Sequence, residues 1–238
     1  MSNTTDKPSI AIFFPVYRDE ATVETVAMKS LKVLSDIASR YKVIIVDDGS
    51  PDRSGEIADK LASKYSEIVS VHHEKNLGYG AALKTGFKHS VDYEWICFTD
   101  GDNQYDVNEL YHLTKLFHHY DLIVTFRYFK IYSTLRIFVS YVYNLFIRWL
   151  FKSTMRDHNC GLKVIRSSVI KDMELVSSSA FVGAEIIINA MVRGYPIGQV
   201  GIKTYPRTFG ESSIMSMKHI TASIFDMFRV YRKIFRKK

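Results

Sequence analysis

Cysteine is scarce in this chain of 238 residues: there are two, Cys97 and Cys160, far apart and the first inside an apolar run. That argues against a disulfide framework and fits a reducing cytosol. Long hydrophobic runs are missing too. A spanning helix needs about 20 nearly uninterrupted apolar residues, and the uncharged stretch Ile137–Ile147 falls well short. The opening Met-Ser-Asn-Thr-Thr-Asp-Lys-Pro has neither an apolar core nor a cleavage site, so export is not expected. His72-His73 and His118-His119 lack ligand partners at metal-binding spacing and read as surface or structural residues, and no Ser-His-Asp or Cys-His arrangement can be argued. Gly78-Tyr79-Gly80 lacks a third glycine and does not follow the first strand, which discounts a dinucleotide fingerprint.

What is present alternates. Short apolar runs at Ile10–Phe14, Val43–Val46, Ile68–His72, Trp95–Thr99 and Leu122–Phe126 read as strands. The amphipathic stretches Glu20–Ser39, Ser54–Tyr65, Gly80–His89 and Val107–His118 between them read as helices. Strand-helix alternation at this spacing predicts an α/β protein with a mostly parallel, Rossmann-like sheet and helices on both faces. No repeat, low-complexity tract or linker breaks the first 130 residues. The expected division is one domain over 1–215 and a C-terminal extension over 216–238.

Net charge is +7, unevenly spread: Lys218–Lys238 holds seven Lys or Arg against one acid, Asp226, interleaved with large apolar residues. At helical spacing this describes a helix lying on an anionic membrane surface, favoured here over nucleic-acid binding because the apolar residues are large and numerous. In 131–152, Arg136, Ser140, Asn144, Arg148 and Lys152 fall four apart and draw one polar stripe on an otherwise apolar helix. It fits a core helix under the sheet or one dipped into the lipid interface, and the basic tail favours the second.

The most informative stretch is Thr99-Asp100-Gly101-Asp102-Asn103-Gln104, which closes the run Trp95–Phe98. It sets two carboxylates at the carboxyl end of a buried strand, where open α/β sheets bind ligands. Hard divalent cations such as Mg²⁺ or Mn²⁺ are held by one or two carboxylates together with substrate phosphates. An acidic turn is the bland alternative, since Asp, Gly and Asn are ordinary turn residues. Asp47-Asp48-Gly49-Ser50 puts a carboxylate and backbone amides at the same kind of edge, suited to a ribose or a base edge.

Five segments fall in order: Phe14-Pro15-Val16-Tyr17-Arg18-Asp19-Glu20, Val46-Asp47-Asp48-Gly49-Ser50-Pro51-Asp52, Asn76-Leu77-Gly78-Tyr79-Gly80-Ala81-Ala82, Asp100-Gly101-Asp102 and Arg207-Thr208-Phe209-Gly210-Glu211-Ser212. Together they resemble the inverting family-two glycosyltransferases of GT-A fold, and within them the polyprenyl-phosphate sugar synthases, the group that includes dolichyl-phosphate mannose synthase. The resemblance covers roughly residues 8–215. It implies a nucleobase pocket of Pro15, Tyr17, Asp19, Val46 and Asp48, with Asp19 where the family usually has Glu and Glu20 one place on. It implies metal ligation by Asp100, Asp102 and Gln104, with Gly101 in the donor site, and Arg127 and Arg207 against the nucleotide sugar. Arg156-Asp157-His158-Asn159-Cys160-Gly161-Leu162-Lys163 resembles the acceptor-side motif, so Asp157 joins Asp102 and Arg207 as the implied catalytic group. Asp157 would act as a base or orient Lys163 or Arg156 against an acceptor phosphate. The family often has lysine after Gly-Glu-Ser where this chain has Ser213, a place Lys203 or Lys218 would have to supply. The implied reaction moves a hexose from a nucleotide sugar, of GDP-mannose or UDP-glucose type, onto a dolichyl or undecaprenyl phosphate. It would run at the cytoplasmic face of a membrane, with room for a membrane-embedded partner and no role for nucleic acid. The rivals are a related enzyme with a hydroxyl acceptor and a non-catalytic nucleotide-sugar-binding subunit.

Overall fold

A computed structural model describes residues 7–128, 134–206 and 217–235. Five strands form where the apolar runs fall: β1 (Ser9–Val16), β2 (Arg40–Asp47), β3 (Ile68–His72), β4 (Trp95–Phe98) and β5 (Leu122–Arg127). Two more, β6 (Lys163–Arg166) and β7 (Ile197–Ile202), complete a seven-stranded sheet in the order β3-β2-β1-β4-β6-β5-β7. Every neighbouring pair is parallel except those made by β6, which runs antiparallel to both β4 and β5. The carboxyl ends of β1, β2, β4 and β5 therefore share one edge with the start of β6, and that edge carries the site.

The helices are α1 (Val23–Ile37), α2 (Ser54–Lys64), α3 (Tyr79–Ser90), the single turn α4 (Leu110–Leu113), α5 (Thr134–Phe151), α6 (Ser167–Lys171), α7 (Val182–Val192) and α8 (Met217–Phe235). Strand side chains alternate between faces, so β1 feeds two cores. Ile10, Ile12, Phe14 and Val16 pack with α1, α2 and the Val107–Phe117 segment, while Ala11 and Phe13 pack with α3, α6 and α7. Helices on both faces of a mostly parallel sheet are what the alternation predicts.

A third cluster joins α5, α7 and α8 through Ile147, Phe151, Phe181, Ala184, Ile188, Met227 and Val230. The C-terminal helix is docked on the body rather than lying apart from it. Asp226 pins it, its buried carboxylate accepting from the backbone N–H of Ser178 and Ser179, both at 2.8 Å, and pairing with Arg229 at 2.6 Å. α5 is turned in an informative direction. Asn144 on the polar stripe is buried at 3% exposure, whereas Phe138, Tyr141, Leu145 and Trp149 are exposed, Trp149 to 73%. Asn144 of the polar stripe turns toward the protein beside Ile147 and Phe151, while a broad apolar face of α5 points outward, unlike that of an ordinary surface helix. α8 likewise leaves Phe225 (77%) and Phe228 exposed beside its buried Met227 and Val230. No described helix is long and apolar enough to cross a membrane.

Candidate active site

Three aspartates meet at the carboxyl edge. Asp19 follows β1; its Oδ2 accepts from the Tyr17 N–H at 3.2 Å, and a Cβ at Gly101 would stand 3.5 Å from it. Glu20 turns the other way, accepting from the Arg53 N–H at 3.0 Å in an exposed position. Of the two neighbouring acids, Asp19 is the one at the β4 turn. Asp100 and Asp102 come from that turn, where Asp102 Oδ1 accepts from the Gln104 N–H at 3.1 Å. Thr22 ties the turn to the start of α1 by donating to the Gly101 carbonyl at 2.7 Å. The Gln104 side-chain amide donates to the Tyr205 carbonyl at 3.4 Å.

Charge at this turn is out of balance. Burial pushes the Asp100 carboxyl above its ordinary value and Asp19 adds to that, while the Tyr79 hydroxyl, Lys163 and Arg127 pull it back without cancelling the rise. Tyr79 donates to Asp100 Oδ1 at 2.8 Å, and burial with the charge of Asp100 keeps its hydroxyl un-ionised. Among the described residues no three His, Cys, Asp or Glu side chains form a ready-made metal cage. Two oxygen-donor carboxylates on a surplus of negative charge nonetheless fit Mg²⁺ or Mn²⁺, which draws its other ligands from water and substrate phosphates. Asp100, Asp102 and Gln104 are thus chemically suited to hold such an ion.

The second half of the site is an ion pair. Arg127, at the end of β5, forks onto Asp157, Nε to Oδ2 at 2.8 Å and Nη2 to Oδ1 at 3.1 Å, with side-chain exposures of 8% and 3%. Burial works against the guanidinium's charge, but Tyr105 and Asp157 outweigh it and raise its pKa. Both Asp157 oxygens accept from Arg127, so the carboxylate's nearest described cation is Arg127 rather than Lys163 or Arg156. Arg156 is exposed and stacks its guanidinium over the Phe126 ring at 4.9 Å. Lys163 is 1% exposed, donates to the Cys160 carbonyl and lies 5.3 Å from the Phe98 ring centroid. Burial lowers its pKa against the pull of Cys160, Asp157 and Asp100. It sits under the turn rather than at the surface.

The remaining site residues divide. Pro15 and Tyr17 are half-buried where β1 ends, and Val46 is buried in β2. Asp48 is buried, its carboxylate accepting from the backbone of Leu77 and Gly78, each at 2.9 Å, and meeting His73 Nδ1 at 2.6 Å. It organises the glycine loop that leads into α3. Gly80 permits a close packing contact: a Cβ there would stand 2.5 Å from the Ser178 backbone. Gly161 is needed for the same kind of reason, since a Cβ would lie 2.3 Å from Asp100 Oδ2 and 2.6 Å from the Tyr105 ring. Glu185 is wholly buried and accepts from the Val176 and Ser177 N–H groups at 2.8 Å, a structural role. Arg207, with the segment through Ser212 and Ser213, lies outside the described residues, as does the Lys218 side chain. Sequence reasoning missed Tyr79 as the partner of Asp100, although the residue lies inside a motif singled out for its glycines.

A family model described as Glycosyl transferase family 2 matches residues 11–172. Undecaprenyl-phosphate 4-deoxy-4-formamido-L-arabinose transferase of Edwardsiella ictaluri is 29% identical over 214 residues, covering 89% of this chain and 64% of that protein. Glycosyltransferase AglD of Haloferax volcanii is 24% identical over 208 residues, covering 83% of this chain and 33% of its own length. The chain thus spans less than two thirds of these relatives. Among solved structures, glucosyl-3-phosphoglycerate synthase from Mycobacterium tuberculosis with Mn²⁺, UDP and phosphoglyceric acid superimposes with a TM-score of 0.71 at 17% identity, covering 95% of this chain and 78% of that one. Its complex with Mg²⁺ and UDP gives 0.68, also at 17% identity, covering 95% of this chain and 79% of that one. The likeness is one of fold.

Proposed function

Because the chain belongs to glycosyltransferase family 2 and has the GT-A fold, we propose that it moves a hexose from a nucleotide sugar onto a polyprenyl phosphate, with inversion, at an anionic membrane surface. The observation that carries this reading is the broad apolar face that α5 leaves exposed. A helix that turns Asn144 inward and leaves Phe138, Tyr141, Leu145 and Trp149 in the open is built to meet lipid. That helix begins seven residues after Arg127 and packs against the loop that holds Asp157.

The chemistry follows from the two halves of the site. An acceptor phosphate oxygen attacks the anomeric carbon, forming the new C–O bond as the bond to the nucleoside diphosphate breaks on the opposite face. Asp100, Asp102 and Gln104 would hold a divalent cation, which when bound supplies positive charge for the departing diphosphate. Arg127, held by Asp157, offers a guanidinium whose orientation is set before substrate arrives. A phosphate monoester has a second pKa of about 6 and needs no base at neutral pH. A hydroxyl acceptor does need one, and an Asp157 with both oxygens on Arg127 is poorly placed to be it. The phosphate acceptor is therefore preferred over the hydroxyl acceptor. The relatives named as undecaprenyl-phosphate sugar transferases support the same choice.

The test is a panel of nucleotide sugars offered to purified protein with polyprenyl phosphate in anionic liposomes, with Mg²⁺ or Mn²⁺ and with EDTA. The expected result is metal-dependent formation of one β-linked prenyl-phosphate sugar. Turnover of hydroxyl acceptors alone would overturn the acceptor assignment, and indifference to EDTA the metal. Removing 218–238 would strip Met227 and Val230 from the core, so membrane binding is better tested by Phe225→Ser with Trp149→Ser. That pair is expected to release the protein from liposomes while a short soluble prenyl phosphate still reacts.

A further inference from the structure

Asn144 is the buried polar side chain at the centre of α5, and it does not look toward solvent or lipid. Its Oδ1 accepts twice from one residue, from the His158 N–H at 3.0 Å and from His158 Nδ1 at 2.9 Å, while Nδ2 donates to the Ser140 carbonyl at 2.9 Å. Since Nδ1 faces an acceptor it carries the imidazole proton, leaving Nε2 to accept from the Ser153 hydroxyl at 2.8 Å. His158 is wholly buried. The next residue of the loop, Asn159, donates its N–H to Asp157 Oδ1 at 3.1 Å, and the Tyr143 hydroxyl is hydrogen-bonded to its side chain. Adjacent residues of α5 thus grip residues 158 and 159, immediately after the Asp157 that holds Arg127.

We propose that Asn144 is a positioning residue, which through the His158 peptide sets where Asp157 and Arg127 stand and so ties acceptor turnover to the seating of α5 on lipid. The second part rests on the acceptor and membrane surface put forward above. One rigid helix carries both ends of the coupling: Phe138, Tyr141, Leu145 and Trp149 outside, Asn144 inside. A buried amide held at both its oxygen and its nitrogen fixes its partners to one arrangement, and losing its oxygen leaves two buried donors of His158 unpaired.

The experiment compares Asn144→Ala, Asn144→Ser and Asn144→Asp in the full chain. Alanine and serine are expected to lower kcat with liposome-presented polyprenyl phosphate at least fivefold while leaving the donor KM within twofold. Aspartate keeps the oxygen that accepts from His158 but loses the donor to the Ser140 carbonyl, so it is expected to recover part of that loss. A folding double-mutant cycle of Asn144→Ser with Asp157→Asn reads the same coupling without any acceptor, and is expected to be non-additive by at least tenfold in the unfolding equilibrium. Additive effects, equal losses in donor KM and acceptor kcat, or no rescue by aspartate would each overturn the proposal. If the wild-type protein transfers nothing to polyprenyl phosphate, the acceptor assignment and the tie to lipid seating fall, and the cycle alone decides whether Asn144 positions Asp157.

Discussion

Replacing Asp157 by asparagine is the sharpest single perturbation, because it separates a buried charge from its partner without changing shape. Arg127 and Asp157 are almost fully withdrawn from solvent and joined by two hydrogen bonds of 2.8 and 3.1 Å. Removing one member of such a pair costs about 3–5 kcal/mol, mostly the penalty of a guanidinium left buried without countercharge. Asparagine retains one accepting oxygen, so about 3 kcal/mol is expected. For a chain of this length the unfolding entropy is roughly 0.5 kcal/mol per kelvin, which converts that loss to a midpoint about 6 °C lower. Replacing both partners, Arg127→Met with Asp157→Leu, should recover most of the stability, since well-packed apolar pairs often match a buried ion pair. Turnover of Asp157→Asn with polyprenyl phosphate, assayed well below its own midpoint, should fall by no more than about tenfold, because the phosphate nucleophile needs no base. Thermal unfolding and steady-state rates on the same preparations provide the check. A midpoint within about 1 °C of wild type would show that the fork is not a buried structural pair. A loss of a thousandfold or more in the folded variant would make Asp157 an obligatory base and refute the reasoning.

Two further outcomes follow from close contacts and burial. Gly161→Ala would drive a Cβ into Asp100 Oδ2 and the Tyr105 ring, so Mn²⁺-supported binding of whichever nucleoside diphosphate the donor panel identifies, read by calorimetry, should weaken tenfold or more, with about 1–3 kcal/mol of stability lost; unchanged affinity would mean the turn yields freely. His158, pushed down to about 4 by burial and then by Lys163, is neutral in the folded chain while its unfolded counterpart titrates near 6.5. Between those values the unfolded state binds the extra proton, so this contribution is complete above pH 6.5 and is lost as pH falls toward 4, roughly 3 kcal/mol in all. His158→Gln should flatten the wild-type slope of stability against pH in that window, and parallel slopes would show that His158 is not buried neutral.

Much of the architecture could be read from local pattern. The first five strands fall on the apolar runs, α1, α2 and α3 on the amphipathic stretches between the first four, and Asp100 and Asp102 at the end of β4, because strand and helix periodicities are written into neighbouring residues. Val107–His118, read as one helix, forms instead the single turn α4 between two 3-10 turns. β6 escaped notice because Lys163-Val164-Ile165-Arg166 is short and begins with a buried lysine, which hydropathy assigns to the surface. β7 escaped because its Ile-Gly-Gln-Val-Gly-Ile carries two glycines that dilute any strand signal.

By itself the amino-acid sequence determined which residue types stand at strand ends: acids after β1, β2 and β4, and an arginine at the end of β5. It also determined that α5 has one polar stripe. Only the tertiary structure decided that Asn144 of that stripe is buried and that Asp157 belongs to Arg127, thirty residues away, rather than to Arg156 beside it. It also decided that Asn144 holds His158 and that Lys163 underlies the aspartates. The physical reason is one of range. Periodicity records how a segment divides its own faces, whereas the partner each face meets depends on where β6 enters the sheet, antiparallel between β4 and β5, and that placement is settled by packing across the whole chain.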